Sequence, residues 1–114
     1  DVTMQWQQRY DDVLEDTVSI VEDEMGIVID RSSFNFARYS SHLMYLLQRL
    51  GTGSILNSDI SDMYRSLGEE RPQIARCVDL IEQYFRDKWG CSLCEEEKLY
   101  LLLHINRICT REGL

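Results

Sequence analysis

The sequence is short of basic residues and of long apolar runs, and each shortage excludes a class of protein. Apolar runs such as LYLLL at 99–103 fall far below the ~20 residues that cross a bilayer, and the amino-terminal DVTMQWQQRY lacks the basic and apolar parts of a signal peptide. We therefore expect no membrane contact and a cytoplasmic location. Twelve Lys and Arg against twenty Asp and Glu give a net charge of −8. This charge opposes direct nucleic-acid binding, which depends on clustered basic side chains.

The remaining composition predicts one ordinary globular domain. With 114 residues, 44% of them hydrophobic and 28% charged, the chain can bury a core without disulfide or metal staples. We assign residues 1–114 to this single domain. The first residue is Asp1 rather than Met, so we expect the chain to be part of a longer protein. If that protein regulates genes, another domain must contact the nucleic acid.

The four cysteines raise the alternative of a small helical metal-binding or redox protein. Cys91 and Cys94 have the C-x-x-C spacing of metal knuckles and redox motifs, but Cys77 and Cys109 do not form the second such pair that a structural zinc site needs. A thioredoxin-like motif would follow a strand in a βαβ pattern, which is absent. We therefore expect no metal and no cofactor, and cysteines that pack around a helix start.

Apolar residues recur every three or four positions along most of the sequence, which predicts an all-α fold. Asp30 is the expected cap of the second helix, and Asn57 or Ser58 that of the third. Ser92 stands at capping-box spacing from Glu95 and is expected to start the fifth. The predicted helices are 5–25, 31–50, 59–67, 72–89 and 93–109.

The two halves of the sequence resemble each other in layout. Each half holds a long helix that ends in glycine, in DEMG and DKWG, followed by a short apolar turn and a capped helix with one histidine. This layout predicts a five-helix bundle of two antiparallel helix pairs, joined by a loop and a short helix.

The two histidines, His42 and His104, are expected at the edge of the apolar helix faces. Neither lies in the leucine and isoleucine rows that predict the core, and helical spacing places tyrosine and arginine next to each. The arginines in question are Arg38 and Arg49 near His42, and Arg107 and Arg111 near His104. Guanidinium groups favour anions, and a neutral imidazole nitrogen can accept a phosphoryl group. The alternative is structural, since a histidine at such an edge usually makes one hydrogen bond and packs.

Three segments in order resemble a known family. ARYSSHLMYLLQRL and EEEKLYLLLHINRI, separated by RPQIARCVDLIEQYF, resemble the two histidine motifs and the intervening helix of a PTS regulation domain, the module of antiterminators of the BglG and LicT type. The resemblance extends from about Tyr10 to Arg107. The arginine-tyrosine-x-x-histidine-leucine context is more similar to the second, carboxy-terminal copy of the module than to the first.

The resemblance implies an all-helical, homodimeric domain of a transcription regulator, with no enzymatic activity. His42 and His104 would be phosphorylated by the phosphocarrier protein HPr or by a sugar-specific enzyme II component. Arg38, Arg49 and Arg107 match motif positions beside them, and we predict from charge and spacing that they hold the phosphate. A missing amino-terminal domain would bind RNA in an antiterminator, or DNA in an activator. The rival interpretation is a constitutive helical dimerisation module whose histidines are structural.

Overall fold

The computed structural model describes residues 2–52 and 61–114, with side chains from residue 8 and residue 62 onward in the two segments. The helices are α1 (Val2–Met25), α2 (Phe34–Thr52), α3 (Ser61–Glu70), α4 (Pro72–Tyr84) and α5 (Glu95–Arg111), and a π-helical turn, Phe85–Trp89, continues α4. No strand occurs in these two segments. The predicted all-α, five-helix fold is therefore confirmed. Among the helices of the described residues, we find no candidate for a membrane span.

Four of the helices form a closed ring in which neighbours are antiparallel. α1 packs against α2 and α4, and α5 packs against the same two helices, while α3 lies against α4 and α5. The direction of α5 relative to α2 follows from two contacts, since Arg49 pairs with Glu97 and Asn35 reaches Arg107. This ring matches the two predicted antiparallel pairs, and it also sets the two histidine-bearing helices side by side.

The core lies between the four helices and consists of the apolar rows that the sequence predicts. Tyr39 joins it, with 1% of its surface exposed and its hydroxyl donating a hydrogen bond to Thr17 Oγ1 of α1. The fully buried side chains include Val13, Val18, Leu43, Leu46, Leu47, Ile74, Ile81, Phe85, Leu101, Leu102 and Ile105. Burial of such side chains contributes roughly 1.5–3 kcal/mol each before chain entropy is subtracted. The buried leucine and isoleucine side chains of α2 and α5 therefore stabilise the packing of these two helices against each other.

The start of α2 differs from the prediction. Asp30 does not cap the helix, because its carboxylate accepts hydrogen bonds from the backbone N–H and the hydroxyl of Ser32 and closes a turn before α2. Ser33 is the cap: its Oγ accepts the N–H of Phe36 at 3.1 Å, and its carbonyl accepts the N–H of Ala37. The helix consequently begins at Phe34 rather than at residue 31.

We expect Ser33→Ala to lower the free energy of unfolding by about 1 kcal/mol, because the N–H of Phe36 loses its acceptor at a buried position. Ser92→Ala is the matched control, since Ser92 is exposed, and we expect a change within about 0.5 kcal/mol. Urea denaturation of the three proteins measures both values. An equal loss in both variants would show that Ser33 is not the cap.

The predicted bounds of α5 and α3 also need correction. α5 begins at Glu95 after an extended Cys94, with no side-chain cap, so the expected capping by Ser92 was wrong. Three glutamates in its first turn instead complement the positive end of the helix dipole. α3 continues through Gly68 to Glu70, because the N–H of Arg71 still bonds to Leu67. The caps predicted at Asn57 and Ser58 lie outside the described residues.

The end of the fourth helix shows why glycine was a good stop signal. The helix was predicted over 72–89, and its last turn, Phe85–Trp89, has π-helical rather than α-helical hydrogen bonding. Gly90 ends it with φ of +66°, a left-handed conformation that other residues rarely adopt. Gly26 ends α1 in the same conformation. Both turns then direct the chain into the partner helix of each pair.

Candidate phosphoacceptor cleft

The structure brings the two histidines into direct contact. His42 on α2 and His104 on α5 have ring centroids 4.8 Å apart and an interplanar angle of 33°. Both are half-buried, next to the buried Leu43 and Ile105 of their own helices. The predicted position at the edge of each apolar face is therefore confirmed, but their contact was not predicted.

Both imidazoles are neutral near pH 7. The pKa of His42 is lowered from 6.5 to about 4, mainly by burial and in addition by the charges of His104 and Arg49. Burial also lowers the pKa of His104, with Arg107 and Arg38 acting in the same direction. A neutral imidazole keeps a lone pair on one ring nitrogen, which is the state that can attack phosphorus.

One nitrogen of each imidazole ring is buried and has no hydrogen-bond partner among the residues that the structure places. Nε2 of His42 and Nδ1 of His104 make no hydrogen bond within the part of the chain that the structure describes. Such atoms are uncommon in folded proteins and often mark functional positions. The structural interpretation of these histidines expected one hydrogen bond for each, and the described residues supply none to these two atoms.

Tyr100 contacts His42 across the helix interface. The two rings meet edge to face, with centroids 5.4 Å apart and an interplanar angle of 75°. The Tyr100 hydroxyl donates a hydrogen bond of 2.9 Å to Glu96 Oε1, which fixes the ring. Helical spacing had placed Tyr39 beside His42, but Tyr39 is buried against α1.

The three predicted phosphate-binding arginines have different surroundings. Arg49 donates two hydrogen bonds to the Glu97 carboxylate, from Nε at 2.9 Å and from Nη2 at 2.6 Å. Arg38 instead lies over the ring of Phe34, 5.2 Å from its centroid. Neither Arg38 nor Arg107 forms an ion pair with a carboxylate of the described residues. These two guanidinium groups are therefore available to an anion beside His104.

An open cleft of about 370 Å³ gives access to the histidines. We call it the histidine cleft. Its lining residues are Phe34, Ala37, Arg38, Ser41, His42, Tyr45 and His104. Phe34 is 74% exposed and Tyr45 is 60% exposed, so the cleft has aromatic walls that face outward. Such exposed rings are typical of surfaces that contact another protein.

The cysteines lie away from the histidine cleft lining. All four thiols are free, and Cys77 and Cys109 are fully buried. Burial raises the pKa of Cys77 to about 12, so this thiol is inert near neutral pH. Cys94 is the N-cap residue of α5, whereas Cys77 lies within α4 and Cys109 near the end of α5.

Two features of the site escaped the sequence analysis. Glu97 precedes His104 by seven residues, so helical spacing predicts it on the side of α5 that carries His104, yet its carboxylate binds Arg49 of the other helix. Helical spacing predicts Phe34 on the apolar face of the second helix and Tyr45 beside the histidine of that helix, yet both rings are exposed at the cleft. A pair of opposite charges could be proposed from sequence only if α2 and α5 were known to be neighbours, which requires the order of helices in the bundle.

We expect the free energy of unfolding to fall as the pH drops from about 6.5 to about 4. In this range the unfolded chain binds a proton at His42 that the folded chain does not, so stability is present above pH 6.5 and is lost toward pH 4. The loss from His42 should be roughly 1–2 kcal/mol after solvent screening of a half-buried ring. His42→Gln should remove that part of the slope. Urea denaturation at pH 7 and pH 4.5 measures it, and an unchanged slope in the variant would contradict the assignment.

Comparison with known proteins identifies relatives of the chain. It is 27% identical to the transcription antiterminator LicT of Bacillus subtilis over 84% of this chain and 35% of that protein. It is 22% identical to a beta-glucoside operon antiterminator of Dickeya chrysanthemi, over 84% of this chain and 34% of the relative. The chain is also 26% identical to a GlcA/glcB genes antiterminator of Staphylococcus carnosus, over 83% of this chain and 33% of that protein. The chain therefore spans about a third of the length of these relatives.

The family comparison covers the helices that build the site. The family model described as PRD domain matches residues 15–108, a range that contains both histidines and all of α2 and α4. This range is most of the chain, and it agrees with the resemblance noted from the histidine motifs. The chain belongs to the PRD domain family.

Proposed function

We propose that this chain is the regulatory phosphoacceptor domain of a bacterial transcriptional antiterminator, acting in the cytoplasm. His42 and His104 would accept phosphoryl groups from HPr or from an enzyme II component of the sugar phosphotransferase system. The relatives are named as antiterminators, which supports a role in regulation rather than in catalysis. The observation that carries the proposal is the pair of neutral, adjacent imidazoles, each with a buried nitrogen that has no hydrogen-bond partner among the described residues.

The proposed transfer exchanges one phosphorus–nitrogen bond for another. The lone pair of a ring nitrogen of His42 or His104 attacks phosphorus, and the donor's phosphorus–nitrogen bond breaks with its electron pair staying on the donor imidazole. The N–H proton on the second nitrogen of the acceptor ring stays in place. Low pKa values keep both acceptors deprotonated at the attacking nitrogen, so no separate base is required.

Charges near the histidine cleft favour the phosphorylated product. A phosphoryl group adds a charge of about −1.5 to −2 and accepts strong hydrogen bonds from arginine. Arg38 and Arg107 exert their positive charge on His104, and neither is ion-paired with a carboxylate of the described residues. We propose that these two side chains hold the phosphate, and that Arg49 acts on the His42 side, where its charge reaches that ring. Each charge-assisted hydrogen bond contributes roughly 1.5–3 kcal/mol.

These energies are large enough to switch an association equilibrium. Turning a two-state balance from 1:99 to 99:1 takes about 5.5 kcal/mol, which two or three such hydrogen bonds supply. We propose that the chain forms homodimers and that phosphorylation shifts their stability, thereby reporting sugar supply to an RNA-binding domain outside the chain. The exposed rings of Phe34 and Tyr45 provide apolar surface for a protein partner at the cleft.

The direct test is phosphoryl transfer to the 114-residue chain. Incubation with enzyme I, HPr and phosphoenolpyruvate should label it with acid-labile, alkali-stable phosphate, the behaviour of phosphohistidine. A second reaction should contain a purified enzyme II component in addition to HPr. The absence of label in both reactions, with a known histidine acceptor labelled in parallel, would refute the proposed function.

A further inference from the structure

The histidines lie so close together that their modifications must interfere. We propose that the histidine cleft holds one phosphoryl group at a time, on either His42 or His104. This inference rests on the proposed function, because it concerns the stoichiometry of that phosphorylation. It makes the pair a single acceptor with two alternative positions, rather than two independent acceptors.

The first step of the argument is distance. The ring centroids are 4.8 Å apart, and both rings line the same cleft, so phosphoryl groups on the two rings would share one small space. Two groups of charge about −1.5 to −2 on adjacent rings would repel each other strongly. Even singly charged carboxylates that share a site do not both ionise, because the second charge meets the first at close range. The second phosphoryl group therefore enters against this repulsion.

The second step is the supply of positive charge. Arg38 and Arg107 act on His104 and have no carboxylate partner within the described part of the chain, so the first phosphoryl group can use both. Arg49 acts on His42 but is bound through two hydrogen bonds to Glu97, whose side chain is only 5% exposed. A second phosphoryl group could recruit Arg49 only by leaving that buried carboxylate without its cation, which is strongly unfavourable.

The third step is the negative charge already present along α5. Glu96 and Glu97 are both buried, at 9% and 4% exposure, about two turns from His104 along α5. Glu96 accepts the hydroxyl of Tyr100, the ring that contacts His42. The surroundings of the cleft therefore combine two exposed arginines, Arg38 and Arg107, with two buried carboxylates farther along α5. This balance suits one phosphoryl group and not two.

The decisive measurement is the intact mass of the 114-residue chain after exhaustive phosphorylation by enzyme I, HPr and phosphoenolpyruvate. We expect one phosphoryl increment on nearly every chain, with the doubly modified species below about a tenth of the total. Fragmentation mass spectrometry at neutral to alkaline pH should find the single group distributed between His42 and His104. A predominant species with two increments would overturn the inference.

The single variants test the simpler explanation that only one of the two histidines can accept a phosphoryl group. His42→Ala and His104→Ala should each still accept one phosphoryl group. If either variant accepts none, the wild type has only one acceptor and the inference is wrong. Potassium phosphoramidate provides a parallel arm, because this small phosphodonor needs no protein docking. One increment from phosphoramidate with none from HPr would refute the proposed function while supporting the capacity of one group.

A variant that frees Arg49 from Glu97 tests whether electrostatics limits the cleft to one phosphoryl group. Glu97→Gln removes the carboxylate that holds Arg49, so the doubly modified fraction should rise at least about fivefold. The matched control is Glu24→Gln, which removes a carboxylate paired with Arg76 between α1 and α4. Equal doubly modified fractions in the two variants would show that the Arg49–Glu97 pair does not set the limit. Circular dichroism should confirm that both variants remain helical.

Discussion

The double variant His42→Ala, His104→Ala incorporates no phosphate above background when incubated with enzyme I, HPr and phosphoenolpyruvate. This result is expected because these are the only two histidines of the chain, and phosphohistidine chemistry needs an imidazole nitrogen. Each single variant keeps one neutral imidazole in the cleft and should remain labelled. The loss should therefore be complete in the double variant and absent or partial in the single ones.

The control for this experiment must separate the loss of acceptors from the loss of the fold. Both histidines are half-buried, so replacing them leaves space between α2 and α5. The variant His42→Gln, His104→Gln restores side-chain volume without a phosphoryl-accepting nitrogen and should also be unlabelled. Thermal unfolding should show cooperative transitions for both double variants. Labelling that persists in the glutamine variant would place the acceptor elsewhere and contradict the assignment.

Arg49→Met lowers the free energy of unfolding by about 3 kcal/mol, the second large effect expected from the structure. The Glu97 carboxylate is 95% buried and receives both of its hydrogen bonds from Arg49, so the variant leaves a charge buried without a partner. The loss is at the lower end of the range for buried pairs, because Arg49 itself is 24% exposed.

A double-mutant cycle distinguishes this ion pair from simple packing. Arg49→Met, Glu97→Met replaces both charges with apolar side chains of similar length and should recover most of the loss, to within about 1 kcal/mol of the wild type. Urea denaturation of the four proteins at pH 7 gives the coupling energy. Additive losses in the double variant would mean that the two side chains do not depend on each other. The matched surface pair is Arg31 and Glu15, which is exposed and should contribute less than about 1 kcal/mol.

The Arg49–Glu97 pair also connects stability with the proposed switch. It joins α2 to α5 two turns away from the two histidines on the same helix interface. A phosphoryl group that attracts Arg49 would weaken this link, whereas one held by Arg38 and Arg107 would leave it intact. Which arginine responds therefore determines whether phosphorylation loosens the bundle or only changes the charge of its surface.

The family resemblance and most of the fold could be derived from local sequence. The core rows through Leu43 and Ile105 follow from apolar spacing, and the ends of α1 and α4 from Gly26 and Gly90. Helix starts were less predictable. Asp30 and Ser33 both have capping side chains, and only the path of the chain before α2 decides which one meets the free N–H groups.

The position of each histidine at the edge of a helix was determined by the sequence alone, because helical periodicity fixes the angle between a side chain and the core row of its own helix. The contact between His42 and His104, the pairing of Arg49 with Glu97 and the burial of Tyr39 were decided only by the tertiary structure. These features depend on which helices are neighbours and how far one slides along the other. That register is set by the packing of the whole core, which no single segment of the sequence contains.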